Sequence, residues 1–334
     1  MKYLRLKLNI LTLTALLFSL SVSGQFFDKN NWKKNRHQVS VGFGGSNFLG
    51  DLGGKDDIGT NDFQDLEISQ TKLAAFVGYK WTMYKKLYLR LDFTYGQLSG
   101  NDNLTREQFR QNRNLNFRSK IYEFDAMVEW EIPINFKKGH VYNIRGAKPW
   151  KFKASSFYLF GGIGAFNYNP QTNLDGQWID LRPLRTEGQG LPDGPDEYGR
   201  WGICIPIGLA YSKRIGHQFS VGVELSYRYT FTDYIDDVST EYYNPFDIAL
   251  YVGGEEGDVA AYLSNPALGL EQDGLGNVVT SVGQQRGDPE DDDGFMYAMF
   301  KVNYLIQDQY KNRFNPTRKR MRQVKRRRSK KIIF

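Results

Sequence analysis

The sequence has one cysteine, three histidines and, past its first two dozen residues, no long apolar run. The lone Cys204 excludes an intramolecular disulfide, so an exported chain of this kind must draw its stability from elsewhere. His37, His140 and His217 are widely separated, and Gly-x-Ser-x-Gly, His-Glu-x-x-His and Cys-x-x-Cys are all missing. A Ser-His-Asp site can assemble from distant residues, but nothing positive supports one here. The lack of internal apolar runs excludes a helical membrane protein. Disorder of the whole chain is excluded by 21 Tyr and 23 Phe, which provide ample surface to bury.

The N-terminus, MKYLRLKLNILTLTALLFSLSVSGQ, is the one long apolar stretch. Lys2, Arg5 and Lys7 precede an apolar core from about Leu8 to Val22, and Val22, Ser23 and Gly24 are small. This pattern predicts a signal peptide over residues 1–24, cleaved before Gln25. An uncleaved anchor helix is disfavoured because the core is short for a span. No Cys follows the cleavage site, so a lipoprotein is not indicated.

Charge is segregated. Of the formal +7, twelve positive charges fall after residue 310 and three in the leader, leaving about −8 on residues 25–310. The basic C-terminus, RKRMRQVKRRRSKKIIF, carries Arg318, Lys319, Arg320, Arg322, Lys325, Arg326, Arg327, Arg328, Lys330 and Lys331. An acidic body with a basic tail reads as a folded unit plus an interaction segment.

The body alternates with period two. In HQFSVGVELSYRYTF (217–231), apolar Phe219, Val221, Val223, Leu225, Tyr227, Tyr229 and Phe231 oppose Ser220, Glu224, Ser226 and Arg228. Residues 87–96, 120–132 and 296–306 repeat the pattern strongly. Residues 37–48, 72–81, 155–168 and 201–213 repeat it more weakly, giving eight expected strands. Long polar segments at 49–71, 100–117, 169–199 and 232–293 alternate with shorter connections at 82–86, 135–153 and 213–216. Together these predict an all-β fold: an eight-stranded antiparallel outer-membrane β-barrel over 37–306, with short periplasmic turns and long extracellular loops. Residues 25–36 become an N-terminal periplasmic segment and 307–334 a periplasmic tail.

The rival is a soluble sandwich or lipocalin-like barrel, whose strands would be shorter. Crossing a tilted bilayer takes roughly 9–11 residues, which these strands supply. The polar face also carries too many charges for a dry core unless they pair. Arg90, Asp92, Glu123, Asp125, Glu129, Glu131, Glu224, Arg228 and Lys301 are expected to form an ionic cluster filling a narrow barrel.

No catalytic residue and no cofactor are expected. Asp233, Asp236, Asp237 and Glu241 form a candidate Ca²⁺ set of hard oxygens, though their spacing fits no EF-hand. The competing and favoured reading is a solvated acidic rim with local turn hydrogen bonds. The run DPEDDDG (288–294) reads most simply as a hydrated loop.

Five stretches carry a family resemblance: VGFGGSNFLGDLG (41–53), NLNFRSKIYEF (114–124), YLFGGIGAFNYNPQ (158–171), LRPLRTEGQG (181–190) and TFTDYIDDVSTEY (230–242). In this order they are similar to the PorG family, outer-membrane barrel components of type IX secretion and its gliding machinery. The resemblance implies a non-enzymatic structural protein touching a periplasmic ring built by the lipoprotein PorK and by PorN. Outer-membrane lipid and other translocon barrel components are further expected partners. The later half of loop 232–293 and the basic tail fall outside the matching stretches.

An alternative function is a small surface barrel whose acidic loops bind a ligand, protein or cation. An outer-membrane hydrolase or acyltransferase is disfavoured, because no histidine is placed at the outer rim. A periplasmic tail meets no nucleic acid. It reads as a tether to an acidic ring face, peptidoglycan or inner-leaflet lipid phosphates, or as a plain solvated tail.

Overall fold

The computed structural model describes residues 36–50, 52, 68–104, 108–138, 151–215, 218–269 and 280–306. Ten strands appear in chain order: β1 (His37–Leu49), β2 (Lys72–Tyr84), β3 (Leu87–Asn101), β4 (Asn116–Lys138), β5 (Lys151–Asn167), β6 (Pro170–Leu174), β7 (Gln177–Asp180), β8 (Trp201–Arg214), β9 (Phe219–Thr230) and β10 (Gly294–Ile306). Among the described residues, three α-helices lie between strands: α1 (Gln108–Arg113), α2 (Pro245–Val252) and α3 (Gly254–Ser264).

Eight strands close on themselves. The sequence β3-β2-β1-β10-β9-β8-β5-β4 is antiparallel throughout, and a β3–β4 ladder from Leu87↔Trp130 to Asn101↔Asn116 completes the ring. Closure leaves no free edge, so every backbone group at mid-barrel finds a partner without water. β6 and β7 stand apart as a hairpin, joined to the end of β4 through Arg118↔Gln171 and Ser119↔Pro170.

The period-two pattern sets the direction of each side chain. Val41, Phe43, Val77, Leu91, Phe124, Val128, Ile163, Ile203, Val223 and Phe300 face outward. Their neighbours Ser40, Lys80, Arg90, Glu123, Glu129, Glu224 and Lys301 are buried inside. This polarity is the inverse of a soluble barrel and matches a lipid-facing exterior. Strands of 12 or 13 residues such as β9 and β10 rise about 40 Å, which a tilt of roughly 40° reduces to about 30 Å, the hydrocarbon thickness. The chain is therefore a transmembrane β-barrel. No described helix is long and apolar enough to cross a membrane.

Aromatic side chains mark both ends of the outer belt. Near the short turns, Tyr79, Val39, Tyr304 and Phe219 share one register row across four strands. Phe219 and Tyr304 ring centroids lie 5.1 Å apart. Toward the long loops, Tyr95 faces Tyr122 at 5.3 Å and Tyr229 meets Phe231 edge-on at 5.4 Å. Rings with an apolar body and a polar tip settle at the headgroup boundary.

All eight expected strands are present, several longer than expected. The medium connection is shorter than expected, because β4 continues to Lys138 and β5 begins at Lys151. The segments expected to be plain loops are not. Segment 169–199 contains the β6–β7 hairpin, whose Asp175-Gly176 turn takes φ of 50° and 84°, the positive pair a tight hairpin needs. Segment 232–293 contains α2 and α3. Asn244 caps α2 by accepting from the Phe246 N–H at 3.1 Å, Pro245 occupies its first turn, and Gly253 ends it at φ 74°. The leader (1–24), segment 25–35, His140, His217 and the basic tail lie outside the described residues.

Candidate functional site

Two large polar networks stand out among the described residues: one fills the barrel, the other ties the second, third and fourth long loops into a lid. All nine residues of the expected ionic cluster are buried in the interior. Arg90 holds Glu224 through two nitrogens at 2.7 and 2.9 Å and Asp92 at 2.5 Å. Lys301 shares Glu224 at 2.9 Å. Arg228 binds Glu123 at 2.8 Å and Asp125 at 3.4 Å. The guanidinium of Arg90 also lies 5.1 Å from the Phe76 ring and 5.3 Å from that of Phe160, and that of Arg228 lies 4.6 Å from Tyr297, so each cation keeps a π-face as well as a counter-ion.

Sequence reading missed three members. Lys80, on a weakly patterned strand, pairs with Glu129 at 2.6 Å and sits 4.7 Å from the Tyr158 ring. Tyr88 donates to Glu131 at 2.5 Å, and Ser156 donates to the same carboxylate at 2.7 Å. Glu131 thus accepts from two hydroxyls; among the described buried barrel residues, six strand-borne carboxylates stand with four cations. Inward glycines make the room. A Cβ at Gly78 would lie 2.1 Å from an Asp92 oxygen, and one at Gly164 would lie 2.2 Å from an Asp125 oxygen and 2.7 Å from the Cys204 sulfur. Glu123, Asp125 and Cys204 bring donor atoms within 4.8 Å of one another. Arg228 already binds both carboxylates, which makes this group part of the ionic filling.

Above the charged layers an aromatic layer closes the barrel. Phe48, Phe117, Phe166, Tyr168, Phe295 and Tyr297 are buried together. The Tyr168, Tyr198 and Tyr234 rings then stack upward, at 6.3 Å with 11° between planes and 4.6 Å with 9°. They lead into the lid.

The lid is built on one buried carboxylate. Glu187 accepts from the Ser239 N–H at 2.9 Å, the Thr240 N–H at 3.1 Å, the Thr240 hydroxyl at 2.8 Å and Arg286 at 2.8 Å. Arg286 also donates to the Asp237 carbonyl at 2.7 Å. Asp237 accepts from the hydroxyls of Thr186 at 2.6 Å and Tyr198 at 2.5 Å. Arg113 donates to the Arg286 carbonyl at 2.6 Å and holds Asp102 at 2.8 Å, joining the second long loop. Thus TEGQG and TDYIDDVST, far apart in sequence, interlock in space. The glycines of TEGQG follow from this: Gly188 and Gly190 take φ of 72° and 76°, and a Cβ on Gly188 would strike the Tyr243 ring at 2.4 Å.

Burial pushes the Asp237 carboxyl up to about 6 from its ordinary 3.8, with Arg286, Thr186 and Tyr198 holding it from rising further. The Tyr198 hydroxyl is raised well above its usual value by burial and by the Asp237 charge.

The candidate Ca²⁺ set does not assemble. Asp237 spends both oxygens on Thr186 and Tyr198. Asp236 turns back on its own loop to accept from the Val238 N–H at 3.0 Å. Glu241 is exposed, and its backbone bridges to Gln285. No three of the four converge within ligand distance among the described residues. Of the solvated-rim reading the local turn hydrogen bond at Asp236 is present, but solvation is corrected: Asp233, Asp236 and Asp237 are buried. In the run 288–294, Asp293 is buried and accepts from the Ile235 N–H at 2.8 Å, whereas Asp288, Glu290 and Asp291 are exposed. His37 contacts the Tyr79 hydroxyl at the short-turn end, far from the lid.

Residues 19–250, more than half of the chain, match a family model described as a domain of unknown function, DUF6089. No curated protein matches the sequence. Among solved structures, similar folds include Ail, the attachment invasion locus protein of Yersinia pestis, at 9% identity and TM-score 0.35, covering 82% of this chain and 99% of that one. Neisserial surface protein A is 7% identical with TM-score 0.34, covering 81% and 97%. The N-terminal barrel domain of Pseudomonas aeruginosa OprF is 8% identical with TM-score 0.31, covering 81% and 99%.

Proposed function

The chain belongs to the DUF6089 family, and from its filled, lidded barrel we propose a non-enzymatic outer-membrane component of the type IX secretion and gliding machinery. The observation that carries this reading is the lid. The two most specific stretches of the PorG resemblance, TEGQG and TDYIDDVST, meet at the Glu187 carboxylate and hold one another in place. A resemblance seated in a load-sharing contact is worth more than one scattered over exposed loops. The interior, packed with its own ion pairs, suits a rigid anchor better than a conduit. In this reading the short turns and both termini face the periplasm, the long loops face outside, and PorK and PorN are the periplasmic partners. The basic tail reaches an anionic surface on that side.

The test is a clean in-frame deletion. Export of type IX cargo stops, and a pull-down with the tagged protein recovers the periplasmic ring proteins. Normal cargo export in the deletion strain would remove this reading.

A further inference from the structure

The helical pair α2–α3 buries one face and leaves the other bare. Ile248, Ala260 and Leu263 pack with Leu184 beneath the pair. On the outer side Phe246 is 72% exposed, Leu250 75%, Tyr251 57% and Tyr262 55%. Phe246 and Leu250 are four residues apart and so share one face of α2. Large apolar side chains sharing one exposed helix face, as Phe246 and Leu250 do, mark an interaction site. Lipid burial of the barrel wall does not explain them, because they belong to the long-loop segment beyond β9.

Charge narrows the occupant. Segment 232–293 has fifteen Asp and Glu against one basic residue, Arg286. The Arg286 guanidinium is spent inside the lid on Glu187 and Asp237. Glu255, Glu256 and Asp258, in the first turns of the adjoining α3, are exposed. Arg185 lies 4.7 Å over Tyr251 and is itself paired with Glu197. An apolar centre in a negative rim repels a second copy of itself and repels lipid phosphates. It complements an apolar surface with basic flanks.

We infer that the exposed face of α2–α3 docks a partner protein through an amphipathic segment whose apolar stripe is flanked by Lys or Arg. Phe246 and Leu250 are the anchors, and the acidic rim steers the approach. This rests on the surface-binding reading of the acidic loops and not on the secretion reading, so either can fail alone.

The experiment uses the full barrel in zwitterionic lipid nanodiscs. The probes are a synthetic Leu/Lys amphipathic helix, its Leu/Glu counterpart, and phosphatidylglycerol vesicles. The Leu/Lys helix binds, added salt weakens it, and the Leu/Glu helix does not bind. Phe246→Ser with Leu250→Ser reduces affinity on the order of tenfold or more, as loss of two anchors should. Glu255→Lys with Glu256→Lys reduces it as well, chiefly by slowing association. Both pairs are exposed, and unchanged heat-modified gel mobility confirms the fold. Equal affinity in the Ser variant overturns the proposal, as does absence of Leu/Lys binding. Vesicle binding that the Ser variant abolishes assigns the face to lipid instead, and self-association that it abolishes assigns it to a second copy.

Discussion

Lys80 and Glu129 show what a single buried charge costs in this barrel. Their side chains are 4% and 0% exposed and 2.6 Å apart. Replacing Lys80 with Met strands Glu129 in the interior, which should cost about 3–5 kcal/mol. Adding Glu129→Met removes the stranded charge and restores most of the loss. Urea unfolding in lipid vesicles, followed by tryptophan fluorescence, reads both; a double variant no better than the single one would refute the account. Asp237 makes a second residue-scale case, with an opposite sense to the usual carboxylate. Its folded value, about 6, lies above its ordinary 3.8, so the folded lid holds the proton more tightly than the open one. The lid is therefore tightest below about pH 4, weakens as pH rises toward 6, and carries the full penalty, on the order of 3 kcal/mol, above that. The hydrogen-exchange protection of residues 230–243, after correction for the intrinsic rise of exchange with pH, should fall between those pH values in the wild type, and Asp237→Asn should flatten that fall. Such roles were only partly readable. The charge of each of these residues is plain in the sequence, but Lys80 lies on a strand whose alternation is weak, and its partner is 49 positions away.

Among the elements, the strands were the most legible part and the lid the least. Strand patterning is local: an outward apolar residue at every second position is visible in a window of ten. The β6–β7 hairpin and α2 also left local marks, Asp175-Gly176 and Asn244-Pro245, which a polar composition masked. The lid itself has no local signature. Glu187 reads as one more acidic loop residue, yet it ties segment 239–240 and Arg286 to the third long loop. Glu187→Ala leaves two backbone N–H groups and a buried guanidinium without this acceptor. The long loops should then be cut by added protease at least several-fold faster while the barrel core stays resistant. A loop cleavage rate equal to wild type would show that the carboxylate is not the keystone described.

At the scale of the whole molecule, the barrel is its own plug. Cys204 reports on this, because it is fully buried and its sulfur lies 3.5 Å from Glu123 within the ionic filling. A maleimide should leave the folded protein unmodified and react fully in denaturant; labelling of the folded barrel would mean that water and reagents pass through it. The number of barrel strands, their inward and outward faces and the alternation of short and long connections follow from sequence patterning, because each depends on spacing within one strand or between neighbours. Which carboxylate meets which cation does not. Arg90 finds Glu224 across 134 positions only because closure and register carry β3 and β9 to facing walls of a narrow cylinder. For the same reason the Ca²⁺ set dissolved. Asp233, Asp236, Asp237 and Glu241 are close in sequence, but Thr186 and Tyr198 from the third long loop claim Asp237 while Asp236 folds back on its own loop.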